Sequence, residues 1–248
     1  MEYQTIIYGV DEGTARITLN RPDVLNALSQ TSLDEIRAAL KAAESDIGIH
    51  VIILAGAGRS FSAGRDFNSL GEDEKRNINV GKTMREVTDA IQNCSKPVIA
   101  MVHGHCLTGA FEIVLACDMI IAAEDAKFGD LHTKFGMRVA AGLSQRLPQL
   151  VGLMKARELC YTARMVSGLE AERIGLVNRA VPQDKLEETV KQLAQEIMAN
   201  SAEAISVYKY LFNNGANLMM QKGLDLEIHG TYVIHDTEER LKKALKKG

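Results

Sequence analysis

The order strand, loop, helix, strand is plainest in the run Val98-Ile-Ala-Met-Val-His-Gly-His-Cys-Leu-Thr-Gly-Ala-Phe-Glu-Ile-Val-Leu-Ala-Cys-Asp-Met-Ile-Ile-Ala122. Its first five residues are apolar without alternation, which is typical of a strand buried on both faces of a parallel sheet. A loop over 104–109 follows, then a helical pattern over 110–116 and another apolar strand over 119–122. Buried strands joined through a helix predict an α/β fold.

Upstream of this run, the pattern again alternates between strands and helices. Ser32-x-x-Glu35 has the form of a capping box, and apolar residues at helical spacing follow it. A further helix is predicted over residues 82–93, with its apolar face turned inward. That face consists of Met84, Val87 and Ile91. The segments predicted as strands are residues 5–8, 15–19 and 51–55.

Downstream, a second capping box, Ser167-x-x-Glu170, opens a helix that precedes a strand predicted over 176–181. From Asp184 onward only helical patterns are found. The sequence therefore predicts an α/β core with parallel strands over residues 1–183 and a helical C-terminal region over 184–248.

Composition excludes several classes of protein. Of the 248 residues, 46% are hydrophobic and 25% are charged, which are ordinary values for a soluble globular chain. The net charge of −3 favours neither nucleic acid nor an anionic membrane as partner. The four cysteines show no pairing pattern, and the N-terminus lacks the features of a signal peptide. We therefore expect a cytoplasmic protein that spans no membrane.

Two loops carry the residues with catalytic potential. Residues 59–67 follow one buried strand, and residues 103–112 follow the next and lead into a helix. A helix that begins near Gly109 offers backbone N–H groups without intrahelical partners and a positive dipole end, with Glu112 in its first turn. Either loop alone could be a simple strand-to-helix connection. Together they indicate a site at which a ligand approaches the backbone.

The motif His103-x-His105-Cys106 raises the alternative of a metal site. Two histidines at this spacing share one face of a strand. No carboxylate, cysteine or histidine nearby completes a closed zinc set, so no metal is expected.

Several segments, in this order along the chain, resemble those of the crotonase, or enoyl-CoA hydratase/isomerase, superfamily. The resemblance covers nearly the whole sequence, and its specificity comes from the number of motifs. They are Thr18-Leu-Asn-Arg-Pro22, Leu25-Asn-Ala-Leu28, Phe61-Ser-Ala-Gly-Arg-Asp66, Lys96-Pro-Val-Ile-Ala100, Gly109-Ala-Phe-Glu112, Ala116-Cys-Asp118, Ala126-Lys-Phe-Gly129, Leu143-Ser-Gln-Arg-Leu147 and Ala171-x-x-x-Gly175-Leu-Val177.

The resemblance implies a crotonase-like spiral of ββα turns, with a helical C-terminal part that forms trimers or hexamers and covers the site. It also implies an oxyanion hole made by the backbone N–H groups of Arg65 and Gly109. These would stabilise the enolate oxygen of an acyl-coenzyme A (CoA) thioester. The Arg65 guanidinium would point to the CoA phosphates or into solvent.

By the same resemblance, Ala63, Asp66 and Phe67 border the adenine of CoA, and Val24 flanks the pantetheine. Family members often have Lys where this chain has Asp23, so one contact with CoA differs. No cofactor beyond the CoA of the substrate is implied.

The proton-transfer groups depart from the family pattern. Hydratases of the family use two glutamates twenty positions apart, and here those positions hold Glu112 and His132. An imidazole titrates nearer neutral pH than a carboxylate and can act as acid or base. Asp130 is a possible substitute for the second glutamate, and a purely structural role for Glu112 or His132 is the alternative. Val139 and Ala140 lie in a stretch that usually contains Pro and Gly, which suggests a reshaped acyl pocket.

The expected activity is therefore addition of water to an α,β-unsaturated acyl-CoA, or its removal. Double-bond isomerisation and C–C bond hydrolysis reuse the same oxyanion hole with other proton shuttles. A protein that binds acyl-CoA without catalysis is the alternative from another class. The residue at position 132 is the feature that discriminates among them.

Overall fold

The structure is a computed structural model that describes residues 3–66, 74–215, 218–230 and 232–245. Its strands are β1 Ile6–Asp11, β2 Thr14–Leu19, β3 Val51–Gly56, β4 Val98–Val102, β5 His105–Leu107, β6 Met119–Ala123, β7 Lys127–Gly129, β8 Val166–Ser167 and β9 Arg179–Val181. Its helices are α1 Gln30–Ser45, α2 Glu74–Asn93, α3 Gly109–Val114, α4 Leu143–Val151, α5 Leu153–Thr162, α6 Gly168–Arg173, α7 Leu186–Met198, α8 Ala202–Gly215, α9 Met220–His229 and α10 Thr237–Leu245.

Six strands form the main sheet in the order β1-β2-β3-β4-β6-β9, and only β1 runs antiparallel to its neighbour. Strands β3 and β4 are buried on both faces, as their continuous apolar runs predict. A second sheet, β5-β7-β8, stands beside the first. The α/β core that the sequence predicts is confirmed.

Two predictions of local structure are wrong. Helix α1 is capped by Ser29, whose Oγ accepts a hydrogen bond from the Ser32 N–H at 3.2 Å. Glu35 instead accepts from the backbone N–H groups of Gln4 and Thr5, both at 2.8 Å, and so fastens the N-terminal segment to α1. The loop predicted over 104–109 contains strand β5, which pairs with β7. Three residues give too short a pattern to show in the sequence.

The second capping prediction holds in part, because Ser167 caps α6 and its Oγ accepts from the Glu170 N–H at 3.1 Å. The strand predicted over 176–181 shortens to β9. The Leu176 N–H donates to Ala171 O at 2.8 Å and thereby belongs to the end of α6.

The helical C-terminal region is anchored in the core through a buried lysine. Lys209 of α8 donates to Asp118 Oδ2 at 2.7 Å, and to Ile91 O and Lys96 O at 2.9 Å each. Helix α7 packs against β4 and β6. The division between residues 183 and 184 stays a prediction. Among the described helices, none is long and apolar enough to cross a membrane.

Candidate active site

The two loops singled out in the sequence lie side by side. Ser62 N–H donates to His105 O at 2.8 Å, and the Leu107 N–H donates back to Ser62 O at 3.2 Å. Ser62 and Cys106 form an isolated parallel bridge. The first loop is therefore paired to β5 like a short extra strand, which fixes its position relative to the start of α3.

Close contact between the loops requires a glycine at position 64. Gly64 has φ +92°, and a Cβ there would lie 2.0 Å from Thr108 Oγ1 and 2.5 Å from Leu107 O. Both distances are far below van der Waals contact. The residue after Gly64 is thereby held against the start of α3.

The two N–H groups named as oxyanion donors meet at this point. A Cβ placed on Gly109 would be 4.0 Å from the backbone nitrogen of Arg65. Gly109 is the first residue of α3, so its N–H has no acceptor within the helix. The Met84 side chain of α2 closes one side, with Cε 3.0 Å from the same Cβ position. This arrangement supports Arg65 and Gly109 as paired donors.

Thr108, directly before Gly109, has an unusual backbone. Its φ of 48° and ψ of −115° lie in a region that a β-branched residue rarely adopts. Such conformations persist where the surrounding structure enforces them, and they cluster at functional sites. Thr108 is not among the residues predicted from the sequence, because nothing in its residue type signals a positive φ.

The segment before α1 supports the first loop from the other side. Leu28 N–H donates to Gly64 O at 2.8 Å, and Asp66 N–H donates to Leu28 O at 3.1 Å. The Asn26 amide donates to Ala57 O and Ser60 O, each at 2.8 Å. The Leu-Asn-Ala-Leu motif thus holds the loop that carries Arg65.

Three of the four residues expected to contact CoA lie on this framework. Ala63 is half-buried, and its N–H donates to Leu25 O at 2.9 Å. Asp66 is buried, and its Oδ2 accepts from Arg21 Nη1 at 2.9 Å. Val24 ends a short 3-10 helix and is exposed. Phe67 lies outside the described residues.

Glu112 points inward from α3 and is only 3% exposed. Its Oε1 accepts hydrogen bonds from the Ala141 N–H at 2.8 Å and the Ala140 N–H at 3.3 Å. Two backbone donors on one oxygen fix the carboxylate and leave Oε2 for another partner. A role limited to the helix terminus does not account for these contacts.

His132 is 8% exposed, and the charges of Glu112 and Arg65 act on it. Its Nδ1 is 2.5 Å from Asp130 Oδ1. An ionised carboxylate only accepts, so Nδ1 carries the hydrogen and Nε2 remains for another partner. Burial alone lowers the pKa of His132, but the hydrogen bond and charge of Asp130, together with the charge of Glu112, raise it above its ordinary value.

Asp130 is therefore in direct contact with His132 through its carboxylate. In an extended chain, residues two apart lie on the same face. Instead His132 has helical dihedrals and begins a 3-10 turn over Thr133–Phe135, which brings the ring back onto Asp130. Burial raises the pKa of Asp130, but hydrogen bonds from His132 and from the Cys160 thiol more than offset this and lower it.

From the sequence, the Arg65 guanidinium is expected to point to the CoA phosphates or into solvent. The structure adds an electrostatic effect on His132. The guanidinium is partly buried, and this burial lowers its pKa. Its positive charge also acts on His132 and partly opposes the rise of the imidazole pKa.

The two histidines of the metal hypothesis have other partners. His103 Nε2 is 2.8 Å from Gly58 O, and His105 Nδ1 is 3.3 Å from Ser60 Oγ. Both rings thus pack against the loop that precedes Phe61. Within the described ranges, no group of three or more His, Cys, Asp or Glu residues is placed to hold a metal ion.

Comparison with known proteins agrees with the motifs. Residues 9–247 match the family model described as enoyl-CoA hydratase/isomerase. A probable enoyl-CoA hydratase of Rhizobium meliloti is 38% identical over 231 residues, which cover 92% of this chain and 88% of the relative. A crotonyl-CoA hydratase of Syntrophomonas wolfei is 36% identical, with the same coverage. The crystal structure of an enoyl-CoA hydratase from Bacillus anthracis has a TM-score of 0.94 at 34% identity and covers 98% of this chain and 97% of its own.

These matches extend over the sheet, both loops and the helical C-terminal region. They confirm the crotonase-like fold that the motifs imply. The chain belongs to the enoyl-CoA hydratase/isomerase family of the crotonase superfamily.

Proposed function

We propose that this protein is an enoyl-CoA hydratase, which adds water to an α,β-unsaturated acyl-CoA or removes it. The observation that carries the proposal is one buried site that combines two backbone N–H groups, a fixed carboxylate and an imidazole. The names of relatives at 36–38% identity support the same reaction.

The oxyanion hole accounts for activation of the thioester. Attack of water on the β-carbon moves negative charge onto the thioester oxygen. The N–H groups of Arg65 and Gly109 donate to that oxygen and are already in place before the reaction. Each such donor is worth about 3–4 kcal/mol, or about 10²–10³ in rate.

Glu112 and His132 divide the proton transfers between them. Glu112 takes a proton from the attacking water as its oxygen bonds to the β-carbon. The His132 imidazolium gives its Nε2 proton to the α-carbon, so the enolate electrons form the new C–H bond. Burial lowers the pKa of His132, but Asp130 and Glu112 raise it above its ordinary value. A raised pKa suits the role of general acid. Proton exchange with solvent then restores both groups.

Binding of CoA follows the family pattern. Ala63, Asp66 and Phe67 would border the adenine, and Val24 would flank the pantetheine. The proposed reaction needs no cofactor beyond the CoA of the substrate.

The assembly we propose is a homo-oligomer, either a trimer or a hexamer. Large apolar side chains remain exposed in two regions of this single chain, which supports burial against other copies. The first region is Leu150, Leu153, Met154, Tyr161, Met165 and Leu169, and the second is Tyr208, Phe212, Met219, Met220, Leu224 and Ile228. The four free cysteines fit a reducing compartment, and we propose the cytoplasm. Neither nucleic acid nor a membrane is proposed as a partner.

The test is loss of the ultraviolet absorbance of crotonyl-CoA on addition of the protein. Glu112→Gln keeps the shape of the side chain but cannot accept a proton. It should lower kcat by about 10²–10⁴ and leave binding of acyl-CoA nearly intact. A binder without activity would shift its own melting temperature with acyl-CoA and leave the absorbance unchanged, which would refute the proposal.

A further inference from the structure

The pair formed by Asp130 and His132 has a geometry that the proposed function does not itself require. Asp130 is 2% exposed, and its Oδ1 is 2.5 Å from the ring Nδ1 and 3.2 Å from the backbone N–H of the same histidine. One carboxylate oxygen therefore accepts two hydrogen bonds from His132, one from the backbone and one from the ring.

Asp130 is held from its other side as well. The Cys160 thiol at the end of α5 interacts with Asp130, and burial raises the pKa of this thiol to about 12, with further contributions from Asp130. The Thr133 hydroxyl donates to Cys160 O at 2.6 Å and fastens α5 to the 3-10 turn that follows His132. The carboxylate thus interacts with α5 as well as with both the ring and the backbone of His132.

We propose that Asp130 is a positioning residue, which fixes the imidazole of His132 with Nδ1–H turned away from the substrate and Nε2 turned toward it. This inference rests on the proposed hydratase function for the role of Nε2. It assigns Asp130 a part in the reaction without contact to the substrate.

The same contact sets the charge of the ring. Three groups besides burial act on His132: Asp130 and Glu112 favour the imidazolium, and Arg65 opposes it. Of the two carboxylates, only Asp130 is in direct contact with the ring. Loss of its charge should therefore lower the pKa of the imidazole, so that the ring becomes neutral at a lower pH than in the wild type.

The first measurement needs no substrate. In protein labelled with ¹⁵N, the His132 ring signals are identified by their loss in His132→Gln. We expect the neutral ring to carry its hydrogen on Nδ1. In Asp130→Asn we expect the protonation constant to fall at least about tenfold, since an opposite charge at this distance shifts a pKa by about 1–3. A wild-type ring with its hydrogen on Nε2, or an unchanged titration in folded Asp130→Asn, would overturn the inference.

The second measurement is kinetic. Asp130→Asn should lower kcat with little change in KM and move the alkaline limb of the pH profile to lower pH. In a His132→Gln background the same change should have no further effect, because Asp130 acts through the ring. Losses that multiply would show an independent role and would refute the positioning assignment.

A matched control comes from an exposed pair of the same type. His235 Nδ1 is 3.1 Å from Glu203 Oε1 on the surface, and Glu203→Gln should leave the pH profile unchanged.

If the wild-type protein does not hydrate crotonyl-CoA at all, the proposed function fails, and the ¹⁵N titration still decides the role of Asp130.

Discussion

A single methyl group at position 64 should separate the two halves of the oxyanion hole. In Gly64→Ala the new Cβ would lie 2.5 Å from Leu107 O, a backbone atom that cannot rotate away. Normal contact requires about 1 Å more. Because Arg65 follows directly, its N–H must move relative to that of Gly109.

The magnitude follows from both the clash and the backbone. A misplacement of about 1 Å costs about 10² in rate, and complete loss of one donor costs about 10²–10³. Overpacking costs about 1–3 kcal/mol, and a left-handed φ costs alanine about 1–2 kcal/mol more. Since domains of this kind have about 5–15 kcal/mol of stability, we expect a folded variant whose kcat is about 10²–10³ lower.

The assay combines crotonyl-CoA hydration with thermal unfolding followed by circular dichroism. Gly152→Ala is the control, because Gly152 has φ +77° but no atom within 4 Å of its Cβ position. It should lose stability and keep its kcat. Wild-type kcat in a folded Gly64→Ala variant would refute the placement of the oxyanion donors.

Three further predictions concern the same site. Thr108→Gly should raise the free energy of unfolding by about 1–3 kcal/mol, measured by urea denaturation, since glycine accepts the φ of 48° without strain; an unchanged midpoint would argue against strain at this residue. His132→Ala should lower turnover about as much as Glu112→Gln. His132→Glu combined with Asp130→Asn should preserve or raise hydration of crotonyl-CoA. Wild-type turnover in His132→Ala would remove the ring from the mechanism. The stability that wild type gains over His132→Gln should be largest between about pH 4 and 6.5. Because folding raises the pKa of His132, its contribution to stability is complete below the pKa of an unfolded histidine and is lost as the pH rises through the folded pKa. Because folding lowers the pKa of Asp130, its contribution to stability fades as the pH falls below about 4. A stability difference between wild type and His132→Gln that grows above pH 8 would contradict this sign.

The core could be predicted because its signals are local and long enough. Strand β4 has the bounds that its apolar run gave, and Met84, Val87 and Ile91 of α2 are buried as their spacing predicts. Burial of a whole strand or helix face constrains many consecutive residues at once. The pattern is then legible in a single sequence.

What the sequence did not reveal depends on single contacts between distant segments. Ser29 caps α1 although Ser32 has the capping-box spacing to Glu35, and the Glu35 carboxylate accepts a hydrogen bond from the N-terminal segment instead. Thr108 has a positive φ and contacts Gly64, which lies 44 positions earlier in the sequence. Neither outcome is encoded by residue type at the site itself.

If His132 stands in place of the second glutamate that the family resemblance implies, the difference is explained by the charge of the pair that His132 forms with Asp130. A glutamic acid that donates its proton goes from neutral to negative. An imidazolium alone would go from positive to neutral, which would leave the site one unit more positive before and after the transfer. With ionised Asp130 at 2.5 Å, the His132 pair is neutral before the transfer and negative after it. The charge presented to Glu112 and to the developing enolate is therefore the same as in a site with two glutamates.

It follows that His132→Glu with Asp130 retained would place two carboxylates in contact in a buried site, where one must stay protonated. Only the paired exchange at both positions restores the charge of the site.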